Sequence, residues 1–324
     1  MLTASQLLDK VNDYLENLNY SRYPQELYTP VQYVLSLGGK RVRPLLMLMS
    51  YELFQRDISR ILDQAAGIEI YHNFTLLHDD LMDCADKRRG NPTVHVKWDN
   101  NKAVLSGDAM TVLAYQYMST CNRRYLSDVI NLFSTSALEI CEGQELDMEF
   151  ESRNDVTEEE YLEMIRLKTA VLLACSLKIG AILGDASKDD ADKLYQFGIK
   201  IGLAFQLQDD FLDVYGNTEN FGKNIGGDIL CNKKTYLLIK AMELADTPHL
   251  EALQKWLAVV NPNPEEKIAA VTKIYNELKI PALCENKIRE LYGEGVKYLE
   301  NVTVVEEKKQ ALKDFVCRMM FREM

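Results

Sequence analysis

The sequence lacks long apolar runs and a recognisable signal peptide. Its longest apolar stretches, such as VLSLGG at 34–39 and AVLLACSL at 170–177, fall well short of the roughly 20 residues that a membrane-spanning helix needs. The N-terminal segment MLTASQLLDKVNDYLENL carries Asp9 and Asp13 and has the pattern of an amphipathic helix, not of a basic start followed by an apolar centre. We therefore expect no membrane crossing and a cytoplasmic protein.

Paired cysteines and clustered histidines are missing as well. The chain has seven cysteines, an odd number, and they form no C-x-x-C motif. Its four histidines show no H-x-x-x-H spacing, so neither a disulfide framework nor a zinc site is predicted. We interpret the scattered cysteines as reduced thiols, which is typical of the cytoplasm. They are Cys84, Cys121, Cys141, Cys175, Cys231, Cys284 and Cys317.

An excess of positive charge is also absent. The formal net charge is −12, because 49 acidic residues outnumber 37 basic ones. Nucleic acid would require a basic face, so no nucleic-acid partner is expected. Against this acidic background, a local cluster of cations becomes informative.

Strand patterns are hard to find, whereas helical periodicity runs through the whole chain. Apolar residues recur at intervals of three and four, as at Leu194, Phe197 and Ile201. Segments beginning at Thr157 and Thr303 have the capping-box form that marks a helix start. There is no internal repeat and no long linker, and an Asn-Pro-Asn-Pro turn at 261–264 is the softest boundary. The sequence therefore predicts one all-α domain over residues 1–324.

Three aspartates lie close together behind an apolar helical run. On a helix, Asp79 and Asp83 share a face at the i, i+4 spacing, and Asp80 lies beside them. Burying such carboxylates without cations would be costly. Oxygen ligands at this spacing suit Mg²⁺, which fills its remaining positions with water and substrate phosphate. A solvated acidic face remains the alternative when this motif is considered alone.

A second copy of the motif makes that alternative less attractive. Asp209, Asp210 and Asp213 repeat the spacing, again behind an apolar run and far away in sequence. If the two helices face each other across a helical bundle, the two triads could share divalent ions. We therefore expect both triads to belong to one metal-dependent site.

Clustered cations accompany both acidic triads. The arginine fork matches phosphate oxygens, so these residues indicate a site for two polyanions, at least one of them held through metal. For Arg41 and Lys87, the interpretation as solvated surface charges remains open. The cations are Lys40, Arg41, Arg43, Lys87, Arg88 and Arg89 near the first triad, and Lys223, Lys233 and Lys234 after the second.

Taken together, these motifs resemble those of the trans (E-type) isoprenyl diphosphate synthases. The resemblance extends from GGKRVRPLL at 38–46 to NKKTY at 232–236, and it includes DDLMD at 79–83 and DDFLD at 209–213. Between them, LSGDAM at 105–110, EGQELD at 142–147 and the pair Lys168-Thr169 follow the order of the family. The resemblance implies a single large helical bundle of the isoprenoid synthase type with a central cavity, and a homodimer.

The same resemblance implies roles for individual residues. The expected ligands of three Mg²⁺ ions are Asp79, Asp83, Asp209 and Asp213, with Asp80 and Asp210 in support. The residues expected to contact the allylic diphosphate are Arg88, Lys168, Lys223 and Lys233. Those expected to bind isopentenyl diphosphate are Lys40, Arg43, His72 and Arg89. Thr169 and Gln206 would place oxygen dipoles near the developing carbocation.

The apolar run before the first triad is predicted to limit the length of the product. Phe74 lies five residues before Asp79, about 7.5 Å along a helix, and Tyr71 lies eight before it, about 12 Å. One isoprene unit extends roughly 5 Å. In the family, one aromatic residue at the position of Phe74 goes with short products, and a second one beside it favours C15. Because the neighbour here is Thr75, we expect C20 geranylgeranyl diphosphate, although Tyr71 could equally be a core residue.

Several alternatives remain open at this point. C15 farnesyl diphosphate is the nearest one, and a longer polyprenyl product is another. A terpene cyclase would share the fold but would normally replace the second triad, which is complete here. From a different class, a non-catalytic subunit of a prenyltransferase, or a structural bundle with acidic patches, would tolerate the loss of either triad.

Overall fold

The computed structural model describes residues 2–20, 22–216 and 225–321, and it confirms the all-α prediction. The only strands in this described part are β1 (Lys87–Arg88) and β2 (Asn91–Pro92), which pair antiparallel. The first helices are α1 (Ala4–Glu16), α2 (Gln25–Ser36), α3 (Val42–Glu52), α4 (Leu62–Met82), α5 (Val94–Lys97), α6 (Asn100–Ser119), α7 (Leu126–Ser152) and α8 (Glu158–Ile165). Next come α9 (Val171–Leu183), α10 (Lys188–Tyr215), α11 (Gly227–Leu230), α12 (Tyr236–Leu244), α13 (Thr247–Ala258), α14 (Pro264–Glu277), α15 (Ile280–Glu300) and α16 (Glu306–Phe321).

Side-chain caps explain where some of these helices begin. Thr157 forms the predicted capping box at the start of α8, because its hydroxyl accepts from the Glu160 backbone while the Glu160 carboxylate accepts from the Thr157 backbone. The prediction at Thr303 was wrong, since α16 begins only at Glu306. There, the backbone N–H of Thr303 instead donates to Oδ1 of Asp190 at 2.8 Å.

The chain divides into two compact units. The first comprises residues 1–134, 175–194 and 302–315, and the second comprises 135–174, 195–301 and 316–324. The expectations of one domain over 1–324 and of a central cavity stay predictions. None of the described helices is long and apolar enough to cross a membrane.

In the first unit, α4 places the first aspartate triad at its C-terminal end. The helix is buried along most of its length, and it packs closely on α6. Gly107 of α6 allows this approach, because a Cβ atom there would lie only 2.1 Å from Nε2 of His78. The tight contact fixes the last turns of α4, from which the aspartates project.

In the second unit, a π-helical turn at Arg166–Ala170 joins α8 to α9. π-Helical turns are rare and often occur at functional sites. This turn carries Lys168 and Thr169, and α10 carries the second aspartate triad in its last two turns. The unit therefore holds a second group of the residues predicted from the sequence.

Candidate active site

The first aspartate triad lies where the helix dipole opposes it. Asp79 and Asp80 are in the last turn of α4, and Asp83 is its C-cap residue, with a backbone N–H that donates to the Asp79 carbonyl at 2.9 Å. The C-terminal end of a helix carries partial negative charge, so carboxylates there are destabilising unless a cation compensates them. Asp80 is buried, whereas Asp83 is exposed. The arrangement therefore requires a nearby cation.

Arg88 supplies that cation from strand β1. Its Nε donates to both carboxylate oxygens of Asp80, at 2.8 and 2.7 Å, and its Nη2 donates to Oδ2 of Asp79 at 3.3 Å. The structure thus brings Arg88 into contact with two members of the first triad. A guanidinium held in this way is preorganised beside carboxylates that can bind metal.

Arg43 and His72 form a second pair in the same unit. Nη1 of Arg43 lies 3.0 Å from Nε2 of His72. Burial, followed by the charges of Arg43 and three other arginines, holds the pKa of His72 well below 6.5, so the imidazole is neutral and accepts this hydrogen bond. Burial also lowers the pKa of Arg43 to about 10, which leaves it protonated at neutral pH. The pair therefore presents one positive charge and one oriented neutral ring.

Arg89 contacts the glycine-rich segment that precedes α3. Its Nη1 donates to the Gly38 carbonyl, and a Cβ atom at Gly39 would lie 2.8 Å from its Nη2. Gly39 has a φ of +134°, so this position needs glycine both for its backbone and for the contact. Lys40 follows directly and is exposed. The structure thus places Arg89 against the segment that carries Lys40.

The interpretation of Arg41 as a solvated surface charge was wrong. Arg41 is buried, donates from Nη1 to Oε1 of Glu69 at 2.8 Å and from Nη2 to the Leu35 carbonyl at 2.8 Å. Asn73 donates to the same oxygen of Glu69 at 3.0 Å. Arg41 is therefore a structural ion-pair residue, and no local pattern points to its partner 28 residues away. Lys87, by contrast, is exposed, as that interpretation required.

An aromatic stack continues from the first triad into the core. The Phe74 ring lies 4.8 Å from His78 and 5.3 Å from Tyr71, and Tyr71 in turn lies 5.1 Å from Phe133. Tyr71 is only 1% exposed, whereas Phe74 is partly exposed. Thr75 is also partly exposed, and its hydroxyl donates to the His72 carbonyl at 2.8 Å. Tyr71 thus supports Phe74 from the core, as the core alternative for Tyr71 requires.

In the second unit, Asp210 is the centre of a hydrogen-bonded network. Gln206 Nε2 donates to its Oδ1 at 3.0 Å, and the Tyr161 hydroxyl donates to its Oδ2. The Thr169 hydroxyl donates to Oε1 of Gln206 at 3.0 Å. Burial raises the pKa of Asp210. The charge of Lys233 and the hydrogen bonds from Tyr161 and Gln206 oppose this rise only in part. The network orients Gln206. Because the Thr169 hydroxyl uses its proton in the bond to Gln206, the lone pairs of its oxygen stay available as an acceptor.

Lys168 of the π-helical turn contacts a carboxylate for which the sequence predicted no role. Its Nζ donates to Oδ2 of Asp147 at 2.5 Å, and Nζ of Lys233 lies 3.9 Å from the same oxygen. Burial alone would raise the pKa of Asp147, but Lys233 and Lys168 together outweigh it, so this pKa lies below its usual value. Asp147 therefore aligns two of the cations predicted to bind diphosphate.

The remaining residues of the second group are also described in part. Asp209 is partly exposed, and Asp213 accepts at Oδ2 from the Asp228 backbone N–H at 2.9 Å. Lys234 donates to the carbonyl groups of Asn232 and Glu151, at 3.3 and 3.4 Å. Lys223 lies outside the described residues.

A preformed metal site is absent from the part of the chain that the structure describes. There, no three Asp, Glu, His or Cys side chains are arranged to hold an ion. The donor chemistry nevertheless suits Mg²⁺, because all the candidate ligands are carboxylates and Mg²⁺ takes few protein ligands and several from water or phosphate. The residues Asp79, Asp83, Asp209 and Asp213 stay predicted ligands.

Three residues of these groups were missed from the sequence. Asp147 ends the EGQELD motif, so its position was noted but no role was assigned to it. Tyr161 and Glu69 are buried partners of Asp210 and Arg41, 49 and 28 residues away in the chain. Only Asp147 lies in a recognisable motif. Polar pairs between residues far apart in the chain have no fixed spacing, so a single sequence does not reveal them.

The chain is similar to known proteins over most of its length. A family model described as Polyprenyl synthetase matches residues 24–278. A geranylgeranyl diphosphate synthase from Saccharolobus solfataricus is 35% identical, covering 95% of this chain and 98% of that relative. A crystal structure of a geranylgeranyl pyrophosphate synthase is 40% identical, with a TM-score of 0.93 and 100% of both chains covered. A synthase of the same name from Corynebacterium glutamicum, complexed with isoprenyl diphosphate and magnesium, is 27% identical, with a TM-score of 0.86 over 99% of this chain and 98% of that one.

Proposed function

The chain belongs to the polyprenyl synthetase family, and on that premise we propose that it is a short-chain trans-prenyltransferase. It joins isopentenyl diphosphate head-to-tail to an allylic diphosphate and releases inorganic diphosphate. The observation that carries the proposal is the contact of Arg88 with both Asp79 and Asp80. It sets a phosphate-binding guanidinium directly beside carboxylates of the type that bind Mg²⁺.

The reaction begins when the allylic C–O bond breaks and its electron pair stays with the diphosphate. Bound Mg²⁺ would stabilise the negative charge of this leaving group. Among the protein groups, Arg88, Lys168 and Lys233 bind the allylic diphosphate, and fixed cations of this kind stabilise developing charge without reorganisation. Asp147 supports the role of the two lysines, because it holds both ammonium groups within 4 Å of one oxygen.

The allylic cation needs stabilisation by neutral dipoles, since a full negative charge would capture it. Thr169 and Gln206 suit this task, because their hydrogen bond of 3.0 Å uses the hydroxyl proton and directs the Thr169 lone pairs away from Gln206. Asp210 in turn fixes the amide group of Gln206. The chain thus has an oriented oxygen dipole ready for the cation.

The second substrate supplies the electrons of the new C–C bond. The double bond of isopentenyl diphosphate attacks the allylic carbon, and holding both substrates together makes this step effectively intramolecular. Loss of one proton then restores a double bond, and the released diphosphate accepts that proton. Arg43, Arg89, Lys40 and His72 are proposed to hold isopentenyl diphosphate, supported by the fixed pair of Arg43 with neutral His72.

We assign C20 geranylgeranyl diphosphate as the product. Phe74 lies about 7.5 Å along α4 from Asp79, and its ring is supported from behind by Tyr71, so it can act as a rigid floor. Thr75 in place of a second aromatic residue leaves room beside it. C15 farnesyl diphosphate is the alternative product, and it requires the floor to lie closer to the diphosphate.

The Mg²⁺ requirement, the dimer and the compartment are parts of the same proposal. The carboxylate-only donor set of the two triads favours Mg²⁺. Exposed apolar side chains on one face of α6 support a homodimer, because Leu105 and Val112 are 56% and 59% exposed and lie seven residues apart. A cytoplasmic location is supported by the seven cysteines, none of which forms a disulfide.

Aspartate substitutions test the proposed function. Asp79→Ala and Asp209→Ala should each nearly abolish formation of prenyl diphosphate while leaving the helical circular dichroism signal unchanged. Asp128→Ala is the control, because Asp128 is exposed in the first turn of α7. Full activity in both triad variants would contradict the proposed metal-dependent reaction.

A further inference from the structure

A buried lysine lies behind the segment that carries Lys233. Lys267 projects from α14 and is only 1% exposed. Burial lowers its pKa, since the surroundings disfavour the charged form. No motif selected this residue, and none of the reaction steps above uses it.

The contacts of Lys267 are made to neutral groups at the end of a short helix. Its Nζ donates to the Leu230 carbonyl at 3.2 Å, which ends α11, and to Oδ1 of Asn232 at 2.6 Å. Burying a cation that donates to neutral oxygens is costly compared with an apolar side chain of similar length. The lysine is therefore better explained by what it holds in place than by core stability.

What it holds is the turn at residues 231–235. Asn232 has a left-handed φ of 55°, and its Nδ2 donates to the Leu257 carbonyl at 3.0 Å. The next residue, Lys233, donates its backbone N–H to the Asp228 carbonyl at 2.9 Å. Hydrogen bonds thus join the Asn232 side chain to α13 and α14. The backbone of the adjacent Lys233 is held by the same turn.

On its other side, this turn carries Lys233 towards Asp147 and Lys168. Nζ of Lys233 lies 3.9 Å from Oδ2 of Asp147, the oxygen that Lys168 also contacts. A small cavity of about 10 Å³ is lined by Lys233, Lys267, Asp228 and Asn232 among others, with space for at most about one water. The turn therefore holds the backbone of Lys233, and its side chain, which is 40% exposed, extends from this turn towards Asp147.

We propose that Lys267 is a positioning residue that, through Asn232 and the turn at 231–235, holds Lys233 in place to bind the allylic diphosphate. The proposal rests on the function proposed above. It predicts that the effect of Lys267 is specific to one of the two substrates. A lysine with a merely structural role would affect both substrates alike.

The first test compares Lys267→Met with Lys273→Met. Lys273 is on the same helix, and its side chain is 75% exposed. Lys267→Met should raise the KM for the allylic diphosphate about tenfold and weaken binding of inorganic diphosphate in the presence of Mg²⁺, measured by calorimetry, to a similar extent. The KM for isopentenyl diphosphate should change less than about twofold, and Lys273→Met should match wild type. Equal changes in both KM values, or none, would overturn the proposal.

A double-mutant cycle asks whether Lys267 acts through Lys233. In a Lys233→Ala background, Lys267→Met should have almost no further effect on the KM for the allylic diphosphate, because the residue being positioned is gone. A further tenfold rise would refute the proposal. If Lys267→Met does not fold, Asn232→Gly serves instead, since glycine keeps the left-handed turn and removes the amide. Wild-type protein that makes no prenyl diphosphate would refute the proposed function itself, which is a separate outcome.

Discussion

Gly143 of α7 and Lys168 of the π-helical turn are in backbone contact: a Cβ atom at residue 143 would lie 2.3 Å from the Lys168 nitrogen. Real side chains do not tolerate such a distance, so only glycine fits there. Gly143 is one turn before Asp147 on the same helix, and the Asp147 carboxylate accepts a hydrogen bond from the Lys168 ammonium. The close approach of the two backbones thus sets the geometry of this ion pair.

Gly143→Ala should therefore impair catalysis more than stability. The added methyl must displace the turn that carries Lys168 and Thr169, and overpacking of this kind costs about 1–3 kcal/mol. We expect kcat/KM to fall at least about tenfold, in steady-state assays of prenyl diphosphate formation. Gly293→Ala is the matched control, because a Cβ atom at residue 293 has nothing within 4 Å. An unchanged kcat/KM in the Gly143 variant would refute the steric role.

Substitutions of His72 test its role as a neutral acceptor. His72→Leu leaves Nη1 of Arg43 without this acceptor, so the KM for isopentenyl diphosphate should rise about tenfold. His72→Gln keeps a neutral oxygen acceptor within reach and should remain within about threefold of wild type. The two variants are compared in the same assay with a saturating allylic substrate. A larger loss in the glutamine variant than in the leucine variant would contradict the assignment.

The depressed pKa of His72 also predicts a dependence of stability on pH. In the unfolded chain the imidazole titrates near 6.5, whereas burial and the arginines hold its folded pKa well below that value. As the pH falls, the unfolded state therefore binds the proton first. The contribution of neutral His72 to the free energy of unfolding is therefore fully present above pH 6.5, and it is lost as the pH falls towards the folded pKa. In urea titrations, wild type should lose more stability than His72→Gln between pH 6.5 and about 5, and equal losses would count against it.

The floor at Phe74 predicts a change of product. Phe74→Ala removes the partly exposed ring while Tyr71 remains in the core, so the product should lengthen by at least about one isoprene unit, roughly 5 Å of added depth. Phe74→Leu keeps part of the bulk and serves as the control with an intermediate shift. Mass spectrometry of the hydrolysed products gives the chain lengths. An unchanged distribution in Phe74→Ala would refute the floor.

Local sequence patterns were sufficient for the fold class and for the family, whereas the roles of the site residues stay predictions. Helical periodicity predicted the all-α structure, and the paired DDxxD motifs, together with the resemblance they carry, indicated the family. These features are encoded by residues three or four positions apart, which one sequence displays directly. Thr157 shows the same principle at a helix start.

Features that depend on long-range burial could not be predicted in this way. Arg41 looks like its exposed neighbour Lys40 in the sequence, and only the fold reveals Glu69 as its buried partner. The failed cap at Thr303 has a similar cause, since its backbone binds Asp190 from a distant helix. Tertiary partners decide these positions, and a single sequence does not show them.

Product analysis of the purified wild-type protein tests the central claim most directly. The protein is incubated with radiolabelled isopentenyl diphosphate and dimethylallyl, geranyl or farnesyl diphosphate, with Mg²⁺ or with a chelator in its place. We predict C20 geranylgeranyl diphosphate in the presence of Mg²⁺ and no elongation with the chelator. Failure to elongate any of the three primers in the presence of Mg²⁺ would contradict the proposed function, and a C15 end product would contradict the assigned chain length.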